Sequence, residues 1–135
     1  MQNSLTLDWA DGSYNFRLPW AACATVEKVA GAPIREVFLR FGTDRAGLSE
    51  VAEIIRQGLL CGDGGTVDGQ RVETKPDVVQ RLLDRYVTGP EARPFLESEA
   101  VAWKILQGFM VGYEPAQAEG SKKKTGEEPV TSRSI

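Results

Sequence analysis

Leu5-Thr6-Leu7-Asp8-Trp9-Ala10-Asp11-Gly12-Ser13-Tyr14-Asn15-Phe16-Arg17-Leu18 alternates apolar and polar residues in two runs. Successive side chains of a strand point to opposite faces. Leu5, Leu7 and Trp9 therefore share one face of a first strand, and Tyr14, Phe16 and Leu18 one face of a second. Asp11-Gly12 lies between the runs and supplies the positive φ of a tight turn, which predicts a β-hairpin over residues 4–18. A lone hairpin is marginal in water, so its aromatic face needs a cover. The segments that follow are the obvious cover, and the fold class they imply is α+β: an N-terminal hairpin packed on four to five α-helices.

The first helix is expected over 20–30. It is rich in helix formers, opens after Pro19 and stops at Gly31 and Pro33, with Ala22, Cys23, Val26, Val29 and Ala30 in one stripe. Ile34, Val37, Phe38 and Phe41 recur at spacings of three and four, which predicts a short helix over 34–41, with a strand as the alternative. A third helix, over 48–61, starts at Gly47 or Ser49 and turns Leu48, Val51, Ala52, Ile55 and Leu59 to one side. Gly62 to Gly69 reads as a solvated connector, with neither the spacing of a phosphate-binding loop nor that of a calcium loop. Thr74 is positioned to cap a fourth helix over 75–88, with Pro76 in its first turn and Val78, Val79, Leu82, Leu83 and Tyr86 on its buried face.

The last helix, over 91–111, is apolar across more than one stripe. Such a helix is either central to the core or shared with another chain. Phe95, Trp103, Leu106, Phe109 and Met110 are accordingly the candidate partner interface. Trp9, Trp20 and Trp103 are most simply core residues, Trp103 having the best claim to an interface because aromatics are enriched there. Glu97 and Glu99 stand two apart on this helix and face different ways, so they do not form an acid–base pair; both read as solvated residues, with a partner contact as the alternative for Glu99, which lies nearer the apolar stripe.

Composition narrows the function. Histidine is absent from the 135 residues, which removes the commonest general base, the commonest metal ligand and every Ser-His or Cys-His nucleophile. No catalytic residue, cofactor or metal is expected, and the chain reads as a non-enzyme. The formal net charge is −3, and the segment after Tyr113 carries as many acidic as basic residues, so the acidity belongs to residues 1–113. With no broad basic face, nucleic-acid binding is not expected. Cys23 and Cys61 form no CxxC and suit two reduced thiols. No signal peptide or membrane-length apolar stretch is evident, so the expected location is the bacterial cytoplasm, away from the membrane. Residues 1–113 are expected to be a single domain. The stretch 114–135, with Val130 and Ile135 as its large aliphatics, is expected to be a disordered tail, its Lys122-Lys123-Lys124 run a solubilising feature.

Ala24-Thr25-Val26-Glu27-Lys28-Val29-Ala30-Gly31 and Ile54-Ile55-Arg56-Gln57-Gly58-Leu59-Leu60-Cys61-Gly62 carry a resemblance. The chain is similar to the small tail proteins of gene transfer agents and siphophage-like prophages. That family begins with a hairpin holding a "-DG-" turn. A helix follows with an Ile/Val-Glu pair ahead of a glycine, then an "ii-x-x-GL-x-g-G" helix end and two further helices. Here the pair is Val26-Glu27, the glycine Gly31 and the helix end Ile55 through Gly62, and the match runs in order over residues 4–112. Such proteins are grouped with phage tail assembly chaperones and sometimes described as tail tube proteins. The resemblance implies a non-catalytic binder of the tape measure protein, acting in the cytoplasm of the infected or producing cell, with the tail tube protein or further copies of itself as other partners. It also implies a −1 translational frameshift near the end of the shorter product, with which Lys122-Lys123-Lys124 is compatible. A structural tail tube or tail-completion subunit, built by adding the hairpin edge to a neighbour's sheet, is the second reading. A small regulatory binding module is the third.

Overall fold

Leu5–Trp9 forms β1 and Gly12–Phe16 forms β2, paired antiparallel with Leu5 opposite Phe16 and Trp9 opposite Gly12. The computed structural model describes residues 4–113, so the tail expected over 114–135, with Lys122, Lys123 and Lys124, lies outside the described residues. Within the turn the left-handed residue is Ala10, at φ 57°, and Gly12 is already the first residue of β2. A side chain at Gly12 would run into the carbonyl of Thr66. Glycine is needed there because it lets a third strand approach.

That third strand corrects the reading of Gly62 to Gly69 as a solvated connector. Gly65–Val67 is β3, Gln70–Val72 is β4, and Asp68 and Gly69 at φ 51° and 77° are the two left-handed residues of a tight hairpin turn. β3 pairs antiparallel with β2, Ser13 opposite Thr66 and Tyr14 opposite Gly65, to give a four-stranded sheet in the order β1-β2-β3-β4. Three-residue strands with one valine each are too short for alternation to show in the sequence.

The helices are α1 (Trp20–Ala30), α2 (Ile34–Gly42), α3 (Leu48–Leu60), α4 (Pro76–Tyr86) and α5 (Phe95–Val111). α1 ends where Gly31, left-handed at φ 69°, donates its N–H to the Glu27 carbonyl. Thr74 does not cap α4. Its hydroxyl donates to the Leu59 carbonyl at the end of α3, and Lys75 is the residue at the N-cap. α5 begins only after Pro94, because proline disfavours helical backbone in the residue before it.

α3 is the central element, packed by α1, α4, α5 and β2, while α2 packs on α1 and α5. The core runs through it: Ile54, Ile55 and Leu59 of α3 meet Phe16, Val26, Leu83, Ile105 and Leu106, all fully buried. Each such side chain contributes about 1.5–3 kcal/mol relative to exposure. Gly58 makes the packing close, since a Cβ there would stand 3.1 Å from the Phe16 ring and 3.3 Å from Ile105. Its carbonyl also accepts from Arg17 N at 3.1 Å, which ties α3 to the end of β2. Cys23 is buried and Cys61 half-buried, and both thiols are free. No helix among the described residues is long and apolar enough to cross a membrane.

Candidate functional site

The five residues proposed as an interface do not share a surface. Leu106 is fully buried in the core cluster, between Trp103 and Phe109 round the helix. Phe95 is half-buried at the other end of α5 and lines a hollow with Leu48, Val51 and Val87. Trp103, Phe109 and Met110 are half-buried, and for Trp103 and Phe109 the neighbours come from α1 and α2.

α2 lies alongside α5 in the opposite direction. At one end Ile34 and Phe109 line a common hollow, in the middle Phe38 stacks on Trp103, and at the far end Phe41 and Leu96 share a second hollow. The Phe38 and Trp103 rings are 5.0 Å apart and 14° from parallel, with Phe41 tilted against Trp103 at 5.9 Å. Trp20, read as core, is 82% exposed. It is the first residue of α1, beyond the reach of the helix packed behind it, and meets the edge of Phe109 at 6.2 Å. Leu96, in the first turn of α5, is 71% exposed. The result is an apolar face across α1, α2 and α5. Of its members Trp20, Phe38 and Leu96 had not been assigned to an interface. Trp20 had a usable signal, since a tryptophan directly after a helix-opening proline sits where the helix has least neighbouring structure.

The face is held by polar contacts beneath it. The Glu27 carboxylate accepts from the Ile34 N–H at 2.6 Å, so the Glu of the Val26-Glu27 pair satisfies a free donor in the first turn of α2. Arg40 of α2 bonds Glu36 at 3.1 Å and Glu50 of α3 at 3.2 and 3.3 Å, and these partners raise its pKa, Glu36 contributing most.

A separate cleft of about 610 Å³ opens between the sheet and α4, walled by Asp11, Tyr14, Val72, Arg81, Arg85 and Tyr86. Tyr14 donates its hydroxyl to Asp11 Oδ1 at 2.6 Å, and burial followed by that bond raises its pKa well above 10.0. A phenol held so firmly protonated is a poor general base. Among the described residues no three His, Cys, Asp or Glu side chains gather to hold a metal ion.

The chemistry on offer is thus the burial of another apolar surface. One protein-family model, described as "Phage tail tube protein, GTA-gp10", matches residues 2–110. No curated protein and no solved structure matches the chain.

Proposed function

Because the chain belongs to the phage tail tube protein, GTA-gp10, family, in line with the resemblance carried by Val26-Glu27, Gly31 and Ile55 through Gly62, we propose that it acts as a tail assembly chaperone. The family role is one in phage tail structure or assembly. Within that role the chain binds the tape measure protein in the producing cell's cytoplasm and keeps it soluble until tube subunits displace it. The observation supporting this reading is the apolar face of α1, α2 and α5, where Leu96 stands exposed beside Trp103 and Trp20 stands exposed against Phe109. Contiguous exposed apolar surface marks a binding site, and a helical face of this kind suits a partner helix laid along it. Many weak contacts along one long polymer give avidity and still permit sequential release. No catalytic step is part of this function.

Co-expression tests it. A tape measure fragment that is insoluble alone stays in the supernatant with the wild-type chain and returns to the pellet with Trp20→Ser/Leu96→Ser. Equal solubility with both chains would overturn the assignment of this face.

A structural tail subunit is the second reading, favoured by one feature: β1 is an edge strand, with β2 on one side and no strand among the described residues on the other. Purified protein that polymerises into rings or tubes, and loses this with a proline at Thr6, would support it over the chaperone.

A further inference from the structure

We propose that the cleft between the sheet and α4 is a second binding site, one that takes an extended peptide segment carrying two carboxylates with an apolar residue between them. It stands apart from the apolar face of α1, α2 and α5 and does not rest on the reading of that face.

Two guanidiniums mark the α4 wall. Arg81 and Arg85 stand four residues apart and so share one side of the helix, about 6 Å apart along its axis, and both line the cleft. Neither has a hydrogen-bond or ion-pair partner among the described residues, unlike Arg40, Arg56 and Arg71, each of which meets a carboxylate. Arg85 is instead laid over the Tyr86 ring, 5.5 Å from its centroid, which holds the charge at the cleft without neutralising it. The carboxylates of the lining already have contacts: Glu73 faces Lys75 at 3.6 Å, and Asp11 accepts the Tyr14 hydroxyl. With Lys75, Arg81 and Arg85 against Asp11 and Glu73, the cleft carries one more cation than anion, although the chain as a whole is acidic. An acidic segment would meet opposite charge at the two arginines, and a basic one like charge.

The sheet supplies an apolar wall opposite. Gly65 pairs with Tyr14 on one side and Val72 on the other, and Val67 lies two residues along β3 from it, so Tyr14, Val67 and Val72 share one face of the sheet, and all three line the cleft. An extended peptide matches both walls. Its successive side chains point to opposite sides, and those on one side recur about 6.6 Å apart. Carboxylates at i and i+2 then meet Arg81 and Arg85, while the residue between them turns its apolar side chain to Val67 and Val72. The cleft, at about 610 Å³, lies in the range of sites that enclose small ligands. A fatty acid would bring one carboxylate for two guanidiniums.

Three labelled peptides form the test, blocked at both ends and identical in their glycine-serine flanks. They carry glutamate-leucine-glutamate, glutamine-leucine-glutamine or glutamate-serine-glutamate. Titrated into the full chain at low salt, the first binds about tenfold more tightly than the second and about fivefold more tightly than the third, and the margin over the second narrows as salt is raised. Arg81→Gln and Arg85→Gln each remove at least half of that margin on a logarithmic scale and keep the wild-type melting temperature, both side chains being exposed. Arg35→Gln, at an exposed arginine of α2, changes the overall charge equally and leaves the margin as it was. An equal loss with Arg35→Gln would show only long-range attraction and overturn the proposal. A margin that Arg81→Gln/Arg85→Gln leaves intact overturns it too, as does failure of the first peptide to bind or equal affinity for the first and third. Decanoate that displaces the labelled peptide at or below the concentration of unlabelled peptide needed to do so would assign the cleft to a lone carboxylate and overturn the peptide as its occupant.

Discussion

Glu50 is a charged residue only 6% exposed, and its contacts account for it. Its Oε1 accepts from the Gly47 N–H at 2.9 Å, at the open end of α3, while both oxygens receive Arg40. Nothing in the sequence distinguishes this glutamate from its exposed neighbours. Tyr113 is another long-range contact of this kind: its hydroxyl accepts from Leu18 N at 3.2 Å and donates to the Ile105 carbonyl at 3.3 Å. Tyr113→Phe should cost about 1–2 kcal/mol, read from the urea midpoint, because the part-buried Leu18 N–H loses its acceptor; an unchanged midpoint would show that water replaces it. Cys23 makes a prediction in pH. Burial first, then the Glu27 charge and Cys61, push its thiol from 9.0 to about 12. The unfolded chain thus ionises this thiol near pH 9 while the folded chain does not, so the folded state holds the extra proton and stability falls as pH rises through that window. Tyr14 and Tyr113, both raised mainly by burial, act in the same direction. Urea midpoints should be level below pH 9 and fall steadily above it, with a shallower fall in Cys23→Ala; a flat profile to pH 11 would contradict the assignment.

At the scale of elements, the helices were legible because their periods are long. Val79, Leu82 and Leu83 in α4, or Val51, Ile55 and Leu59 in α3, are buried as their spacing requires. The errors collect at the ends of helices, as at Val29 in the last turn of α1, 45% exposed. Trp20, read as core, opens α1 and Leu48, counted into an apolar stripe, opens α3, yet Trp20 is 82% and Leu48 75% exposed. Periodicity gives the direction of a side chain and not whether a neighbouring element extends far enough to cover it. Two tryptophans should therefore separate cleanly. Trp20→Ala should change stability by no more than about 0.5 kcal/mol and still weaken binding of the tape measure fragment. Trp103→Ala, losing its stack on Phe38 and its contact with Phe41, should cost about 1–3 kcal/mol and binding as well. Thermal melts beside pull-down yields check both. Gly12 makes the matching prediction for the sheet: Gly12→Ala should cost about 1–3 kcal/mol and speed hydrogen exchange at Asn15, whose N–H donates to the Gly64 carbonyl at 2.9 Å. Unchanged exchange would mean that β3 shifts to make room.

For the molecule as a whole, the α+β class and the order of its elements could be read from the chain, whereas the candidate face could be read only in part. Trp103 and Phe109 were visible as surplus apolar residues on α5. Their neighbours were not, because Trp20, Ile34 and Phe38 lie on other helices and no pattern within α5 names them. Leu106, with the same apolar character and lying between Trp103 and Phe109 round the helix, is fully buried, and composition cannot tell a seam from a core. The strand order also has a meaning in time. β2 and β3 are neighbours in the sheet, but α1, α2 and α3 lie between them in the chain. The first hairpin can close within microseconds from local contacts, while its third strand waits until a long loop has been drawn together, a step whose entropy is offset only once α3 is seated. Refolding should accordingly be rate-limited by the joining of β3 to β2, with helical signal recovered first and the Asn15 amide protected last. The small sheet, first to appear in the chain, is then the last part of the molecule to be finished.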